Sequence, residues 1–560
     1  MAECGAAGKI IKKSTKGERT MKKLLALCLA AAMTATLFAG CGSSATESGS
    51  STDGAESSSV SVDTEALSQT SWEDSLIRVG IELDPGTLGP YETNNTGRKQ
   101  TLHEVYETLG MYQERGGEIK GVLAKNWYEE SENVYIVELY DYITDSNGNQ
   151  ITADDVLFSF SEALTTMKRY LKYVENAEKV DEYTVRIELN SGDVGVFDHI
   201  LTMIWIVDQD SYESSENNMA LEPVGTGPYK VVDYVEGSKL TMEAREDYWQ
   251  TDESALVNYQ YQNVKTIEFI VVSEASQQAI ALETGVVDII NNMTYTAAAR
   301  LMDDDNFNVD YSNDHAIRTL IFNCNEESIC SNLALRQAIL YAFDSDAVIE
   351  GAVDGYGGSV YAFGNERYYD VYESWDDGDY YAYDLDKAKE LLEEAGYSDG
   401  CTVRLLTDTS EINSKIASVM QGYLNQIGID LEIMQYEETL AKTYMRDFTF
   451  FDIYLAYSGS PDYAISAWYE RLTNTTYDNG LNYCGINDET LEELMAIAMD
   501  EDTHNEETMT DAYNYITDNA YIYGLLSVYF FTAYNDAVTS VSVNYDNWML
   551  PGCNTYVWND

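Results

Sequence analysis

The sequence predicts a mixed α/β fold, because segments with the periodicity of strands alternate with segments with the periodicity of helices. Residues 77–83 (IRVGIEL), 184–189 (TVRIEL) and 428–433 (GIDLEI) alternate apolar and polar side chains as half-buried strands do. Between residues 384 and 433 a helical stretch is followed by a strand, and that order then repeats. Such repeats are typical of α/β units, which sets the predicted fold class.

Two helices of this part of the chain can be delimited from sequence. In residues 335–343 (LRQAILYAF) the apolar side chains recur at the spacing of one helical face. In residues 384–396 (DLDKAKELLEEAG) Asp384 is placed to cap the start of a helix, and Gly396 is placed to end it.

Residues 145–149 (DSNGN) begin like a calcium-binding loop. That loop requires Gly at its sixth position and Glu at its twelfth, where this chain has Gln150 and Val156. We therefore interpret the segment as a hairpin turn at Asn147-Gly148, followed by a helix that Thr152 caps, with Asp155 three positions later.

The charge balance excludes some partners. The 560 residues include 33 lysines and arginines against 96 aspartates and glutamates, and such a field repels nucleic-acid phosphates and anionic lipid headgroups. Hydrophobic residues still make up 45% of the chain, so most of it is expected to fold into several domains. We expect no nucleic-acid partner.

The first 71 residues read as an export signal and a tether. Lys22 and Lys23 precede an apolar stretch, residues 24–38, that is too short to span a bilayer comfortably, and small residues lead to Cys41. We interpret residues 1–40 as a signal peptide, with Met21 as a possible true start. No other stretch has the length and apolar character of a transmembrane helix.

The cysteine after this signal resembles the lipobox of bacterial lipoproteins, in which the thiol is acylated. Phe38 replaces the usual Leu three positions before Cys41, and an ordinary cleaved signal with a chance cysteine is the alternative. Residues 42–71 are rich in Ser, Gly and Thr, which predicts a flexible tether with a reach of about 30 Å. Cys41 is the predicted lipidation site, which would place the protein on the extracellular face of the cytoplasmic membrane.

Cysteines and histidines give no metal-site or cofactor signal. The body of the chain has five cysteines without a C-x-x-C pair, and only four histidines occur in all 560 residues. Cys324 with Cys330 could close a small loop. His103 lies in a stretch that reads as helical, residues 101–109, and is interpreted as a packed helix residue. We expect neither a bound metal nor a cofactor.

Nine segments in a fixed order carry a family resemblance. Together they resemble the peptide/nickel-type (family 5) extracellular solute-binding proteins of ABC importers, from about Ile77 onward. Their glycines and aromatics also have structural readings, as tight turns and as packing at loop ends. In order, the segments are LDPGTLGP, VYETL, GVLAKNW, ITADDVLFSF, VDEYTVRIEL, VGTGPYKV, DYW, LETGVVDII and LRQAILYAFDSDAVIEGAV.

The resemblance implies a two-lobed periplasmic-binding-protein-like clamp with an additional third domain. Members of the family are receptors and not enzymes, and their closed form docks on a membrane permease. By the resemblance, hinges are expected near Pro223 and His315. The implied ranges are 72–100, 223–314 and 527–560 for lobe I, 101–222 for the additional domain, and 315–526 for lobe II.

The resemblance also implies where a peptide ligand lies, held like an added strand by one segment from each lobe. Lobe I would contribute Asn95, Thr96 and Gly97, for which an exposed turn is the alternative reading. Lobe II would contribute residues 457–459, Tyr457, Ser458 and Gly459. Family members often have a tryptophan and an amine-binding aspartate here; this chain has Tyr457 nearest the first and Ser460 or Pro461 in place of the second, with Asp462 just beyond.

Alternatives to a peptide receptor remain open at this point. An oligosaccharide is the second ligand class, because tyrosine and tryptophan surfaces also stack on sugar rings. A surface adhesin or peptide-binding chaperone of the same fold is a third class. No G-x-S-x-G pentapeptide occurs, and no enzymatic activity is expected. We expect a monomer that has an ABC permease as its membrane partner.

Overall fold

A computed structural model describes residues 72–92, 96–112, 118–360, 369–375, 380–458, 463–473, 482–535 and 538 of the chain. These residues belong to one compact unit, residues 62–560. The predicted signal, Cys41 and the tether lie outside the described residues, as do Asn95, Gly459 and Asp462.

An eleven-stranded mixed sheet organises the fold, in the order β15-β14-β16-β12-β17-β11-β1-β10-β9-β8, with β13 paired to β17. Parallel pairs occur in both of its halves, β1 with β10 and β11, and β14 with β15 and β16. The strands are β1 (Leu76–Ile81), β8 (Tyr229–Val235), β9 (Lys239–Ala244), β10 (Thr266–Val271), β11 (Ile289–Met293), β12 (Phe307–Phe322), β13 (Gly357–Gly358), β14 (Cys401–Asp408), β15 (Ile429–Tyr436), β16 (Ile453–Ser458) and β17 (Ile522–Asn535).

Two long strands join the halves of this sheet. β12 and β17 pair antiparallel from Phe307 opposite Asn535 to Ile321 opposite Ile522. β17 also pairs with β11 of one half, and β12 pairs with β16 of the other. The register of the ribbon shifts between Asn313 and Ile317. The fold is therefore two sheet halves connected by one ribbon.

A separate antiparallel sheet lies within residues 101–222, in the order β4-β5-β7-β6. Helix α2 (Ala153–Ala163) and the strands of this sheet bury their apolar residues in a core that also includes Trp249. The strands are β4 (Ala124–Ser131), β5 (Val134–Leu139), β6 (Val174–Asp181) and β7 (Thr184–Leu189), and a two-stranded sheet of β2 (Gly110–Tyr112) and β3 (Ile119–Gly121) lies beside it in sequence.

The α-helices pack against these sheets and bury their apolar faces in the cores. In chain order they are α1 (Thr96–Thr101), α2 (Ala153–Ala163), α3 (Lys168–Leu171), α4 (Val196–Thr202), α5 (Gln209–Ser214), α6 (Ala275–Glu283), α7 (Tyr295–Ala298), α8 (Leu333–Tyr341), α9 (Ser345–Val353), α10 (Leu385–Glu394), α11 (Glu411–Leu424), α12 (Glu438–Tyr444), α13 (Ala464–Leu472), α14 (Glu489–Met499) and α15 (Glu506–Asp518).

The predicted elements are confirmed where the sequence pattern was strong. The three predicted strands correspond to β1, β7 and β15, and the apolar face of α8 is buried. Asp384 accepts hydrogen bonds from the N–H groups of Asp386 and Lys387 at the start of α10, and Gly396 follows that helix with a φ of +89°.

The rejected calcium loop is a turn. Thr144 and Gln150 form an antiparallel bridge around it, and Gly148 has a φ of +87°. The backbone N–H of Thr152 donates to the Asp155 carboxylate across 2.7 Å and completes the predicted capping box of α2.

One expectation needs correction, and one open possibility is ruled out. Residues 101–109 are not one helix, because a 3-10 turn ends at Glu104 and Glu107 then forms a bridge with Ile206. His103 is nevertheless packed, edge-on against Trp205 with 5.5 Å between ring centroids. Cys324 and Cys330 are free thiols and close no loop. Burial raises the pKa of Cys324 to about 11.

Candidate functional site

Two of the nine segments that carry the family resemblance, VYETL and DYW, meet in one buried polar cluster. The Glu107 carboxylate accepts hydrogen bonds from Tyr248 Oη at 2.7 Å, Trp249 Nε1 at 3.0 Å and Gln260 Nε2 at 2.6 Å. Burial raises the pKa of Glu107 against the opposing effect of these bonds. VYETL and DYW are thus joined in the interior, and their role here is structural.

The VGTGPY segment packs against the same place. A side chain on Gly225 would overlap the Val105 carbonyl oxygen, and one on Gly227 would overlap the Glu104 carbonyl oxygen. The buried Arg245 guanidinium donates to Thr226 O at 3.0 Å and to Asp145 O at 2.8 Å, and so ties this segment to the turn at residue 145. The structural reading of these glycines is confirmed, so ligand-binding groups must be sought elsewhere.

The candidate ligand-binding edge of the sheet lies where its parallel strands end. In open α/β sheets ligands bind beyond the carboxyl ends of the strands. In the first half of the sheet β1 ends at Ile81, and Gly97 near the start of α1 packs on the backbone of Leu83 just beyond that end. A Cβ at Gly97 would overlap the Leu83 carbonyl oxygen, so only glycine fits. The structure describes Thr96 by its backbone, as the first residue of α1.

In the second half the corresponding edge is formed by β14 and β16. These parallel strands end at Asp408 and Ser458, and the Tyr457 side chain is 39% exposed there. Ser458 is described by its backbone. Two of the predicted segments, at Gly97 and at Tyr457, therefore each lie at the carboxyl edge of parallel strands.

The backbone of β16 has one open side at this edge. β14 pairs with β16 only at Leu405 and Leu406, opposite Ile453 and Tyr454. From Ala456 to Ser458 the ladder continues only with β12, among the described residues. An extended chain could add to such an edge by main-chain hydrogen bonds.

Arg318 lies beneath Tyr457 and was missed by the sequence analysis. It stands opposite Tyr457 in the β12–β16 ladder, and its guanidinium carbon lies 4.7 Å from the centre of the Tyr457 ring. Its Nε donates to Asn413 Oδ1 at 2.9 Å, and Asn413 Nδ2 donates to the Asp408 carboxylate at 3.0 Å. Only strand pairing over 139 residues brings Arg318 here, so no local pattern could have identified it.

An aromatic cleft of about 460 Å³ is lined by Tyr463, which follows β16 in sequence, and by residues of the 101–222 region. Its lining includes Tyr112, Trp127 and Asp198 from one part of the chain and Tyr369 and Tyr463 from another. The ring centroids of Tyr112 and Tyr369 are 5.7 Å apart, and those of Tyr369 and Tyr463 are 5.1 Å apart. Its volume is that of a small-molecule site, which is commonly lined by aromatic side chains. The sequence analysis did not identify this set.

Residues 192–194 and 499–501 are joined in a backbone clasp. Val194 N–H donates to Met499 O at 2.8 Å, and Glu501 N–H donates to Gly192 O at 2.9 Å. Val194 is buried among apolar residues such as Ile465 and Met499. Burial and then the neighbouring Asp500 carboxylate raise the pKa of Asp193 within this clasp.

Two further findings concern metals and membranes. Among the described residues, no group of three or more His, Cys, Asp or Glu side chains could hold a metal ion. No helix in the described ranges has the length and apolar character needed to cross a bilayer.

Solved structures of low sequence identity share this fold and define its class. They include the substrate-binding protein CtaP of Listeria monocytogenes (TM-score 0.75, 21% identity, 87% of this chain and 99% of that one). NikA of Brucella suis in complex with Fe(III)-EDTA is similar (TM-score 0.76, 20% identity, 87% and 100%), as is the oligopeptide-binding protein AppA of Bacillus subtilis with a nonapeptide (0.69, 19%, 87% and 99%). The fold is the two-lobed α/β clamp of periplasmic binding proteins, as predicted.

The family follows from the sequence itself. Residues 118–480 match the model of the bacterial extracellular solute-binding proteins, family 5 (middle region), and the chain belongs to this family. The glutathione-binding protein GsiB of Salmonella paratyphi A is 26% identical over 376 residues, which cover 64% of this chain and 69% of that protein. The family consists of substrate-binding receptors of ABC transporters that work outside the cytoplasm.

Proposed function

We propose that this protein captures short peptides outside the cytoplasmic membrane and delivers them to an ABC permease. One observation carries the choice of peptide, the open backbone side of β16 from Ala456 to Ser458. A peptide can supply alternating N–H and C=O groups to such an edge, whereas a sugar has no matching main-chain pattern. Affinity then depends little on the peptide's sequence.

The cleft supports the same ligand class. Its tyrosine and tryptophan walls offer apolar surface with polar tips, which accommodates varied side chains. The Asp198 carboxylate, which accepts from Tyr112 Oη at 3.1 Å, places negative charge beside the cleft. Similar proteins have been described with peptides, a nonapeptide in AppA and the peptide STSA in DppA of Helicobacter pylori.

The binding residues of this proposal come from both lobes. Lobe I (72–100, 223–314 and 527–560) contributes Asn95, Thr96 and Gly97, and lobe II (315–526) contributes Tyr457, Ser458 and Gly459 with Asp462 at the peptide's amine. The additional domain is residues 101–222. Closure would turn on hinges near Pro223 and His315.

Backbone methylation of the ligand tests strand-like binding. Calorimetry on one bound peptide and on versions N-methylated at single positions should show losses at alternate residues only, because alternate N–H groups of an added strand face β16. Replacing the same amide by an ester removes the N–H group without adding a methyl group, and is therefore the matched control for the bulk of the methyl group. Equal affinity across the series would contradict binding at the β16 edge.

The anchor is a separate part of the proposal. We expect Cys41→Ser to release the protein from the membrane to the medium with its fold unchanged, because acylation supplies the membrane affinity. Cys28→Ser, within the predicted signal, is the matched control and should leave the protein on the membrane. If Cys41→Ser stayed on the membrane and the mature N-terminus were unmodified, acylation of Cys41 as the membrane anchor would be refuted.

A further inference from the structure

We propose that Arg318 is the ligand-binding residue for an acidic group, a carboxylate, on the captured molecule. The inference rests on the proposed function and deepens it by naming a ligand chemistry. A peptide provides such a group at its C-terminus or on an Asp or Glu side chain.

The first argument is an incomplete hydrogen-bond set. Arg318 is 6% exposed, and its buried Nη1 has no hydrogen-bond partner among the residues that the structure describes. A buried donor left unsatisfied is costly, so such a group calls for a specific explanation. A carboxylate oxygen from the ligand would supply the missing acceptor.

Two other buried arginines show that this chain can satisfy a guanidinium when its role is structural. Arg336 donates to Cys330 O from Nη1 and to Asn519 O from Nη2, at 2.8 and 2.6 Å. Arg245 donates from both terminal nitrogens to backbone carbonyls. Within the described part of the chain, the guanidinium of Arg318 makes one hydrogen bond, from Nε to Asn413, and stacks on Tyr457.

The second argument is position. Arg318 lies at the carboxyl edge of β14 and β16, where ligands of open α/β sheets bind. Asn413, its partner, is in the first turn of the fourteen-residue helix α11, whose N-terminal end adds positive potential. The position at the strand edge and the nearby helix N-terminus together favour the binding of an anion.

The third argument is charge. The whole chain carries 96 acidic against 33 basic residues, yet no carboxylate bonds to Arg318 among the described residues. Asp408 reaches it only through Asn413. Rotation of the partly exposed Tyr457 ring would admit a ligand oxygen to Nη1, and the resulting bond would form away from water, where charge-assisted bonds are strong.

Ligand chemistry tests the proposal without any variant. Calorimetry on wild-type protein compares a peptide that has a free C-terminal carboxylate or a Glu side chain with the same peptide in which that group is an amide. We expect the amide form to bind roughly tenfold to a hundredfold more weakly. The C-terminal amide and the Glu-to-Gln peptide identify which carboxylate is used. Undiminished affinity for both amides would overturn the proposal.

Variants of Arg318 test whether this residue causes the difference in affinity between the acid and amide forms of the peptide. Arg318→Gln should remove the acid-to-amide difference, and Arg318→Lys should retain part of it because the charge remains while the forked geometry is lost. Arg300→Gln, which removes a surface arginine paired with Glu283, is the control for net charge and should leave the difference intact. A full difference in a folded Arg318→Gln protein would overturn the proposal, and Arg318→Lys serves if the Gln variant does not fold.

A further arm separates this proposal from the proposed function. N-acetylated amino acids, which carry a carboxylate but no amine, should raise the melting temperature of the wild type and not of Arg318→Gln. If no peptide binds but these acids stabilise the wild type selectively, the peptide function fails and the Arg318 site stands. If peptides bind but acid and amide forms are equivalent, the function stands and the Arg318 site fails. If neither binds, both fail.

Discussion

The indole Nε1 of Trp249 donates a hydrogen bond to the Glu107 carboxylate across 3.0 Å and joins segments 142 residues apart. Because three donors converge on this carboxylate, a glutamine would place an N–H group against an existing donor. We expect Glu107→Gln to lower the free energy of unfolding by about 1–3 kcal/mol. Urea unfolding measures this, with the exposed Glu236→Gln as a control that should change little. Equal stability of the two variants would contradict a structural role for Glu107.

The glycines of VGTGPY provide a second stability test. Gly225→Ala would place its Cβ into the Val105 carbonyl oxygen, and we expect a loss of more than about 2 kcal/mol. Gly422→Ala is the matched control, because Gly422 is inside α11 with nothing within 4 Å of an added Cβ. That substitution should stabilise the protein by roughly 0.5–1 kcal/mol. Chemical denaturation of both variants checks that the free energy of unfolding falls for Gly225→Ala and rises for Gly422→Ala.

The clasp at Asp193 gives a pH dependence. Burial raises the pKa of Asp193, and Asp500 adds to that rise, so the folded state binds the proton more tightly than the unfolded state. The stabilisation from this group is present at low pH and is lost as pH rises through its folded pKa. We expect Asp193→Asn to raise the melting temperature at pH 7 and to match the wild type at acidic pH.

Melting curves between pH 4 and pH 8 measure this. The exposed Asp233→Asn, which lies away from the clasp, should show no such convergence. A constant difference across the range for Asp193→Asn would contradict the assigned cause.

Recognition of the ligand's amine is testable at Asp462. If this carboxylate binds the free ammonium of a peptide, a charge-assisted bond contributes about 1.5–3 kcal/mol. Acetylating the peptide, or the change Asp462→Asn, should each weaken binding by roughly tenfold to a hundredfold, and the two changes together should cost little more than either alone. Calorimetry on the four combinations decides this, and equal affinity for free and acetylated peptide removes Asp462 from the site.

Local patterns predicted much of the fold, because caps and alternating strands depend on nearby residues. Asp384, Thr152 and Gly396 act where their sequence neighbours place them. Residues 101–109 read as one helix because their apolar spacing is helical, but the bridge of Glu107 to Ile206 overrides that preference.

The candidate site was only partly predictable. Gly97 and Tyr457 were identified through family resemblance, since their segments follow recognisable strands and turns. Arg318 and Asp198 were not, because strand pairing brings Arg318 to the β16 edge and packing brings Asp198 to the cleft, each with residues distant in sequence. A single sequence contains no local signal for such contacts.

The central claim is that this receptor holds a short peptide. Native mass spectrometry after incubation with an equimolar mixture of diverse short peptides and oligosaccharides tests it most directly. We predict mass shifts equal to those of peptides, which disappear on unfolding. Shifts equal to hexose units, or no retained ligand from the mixture, would contradict the claim.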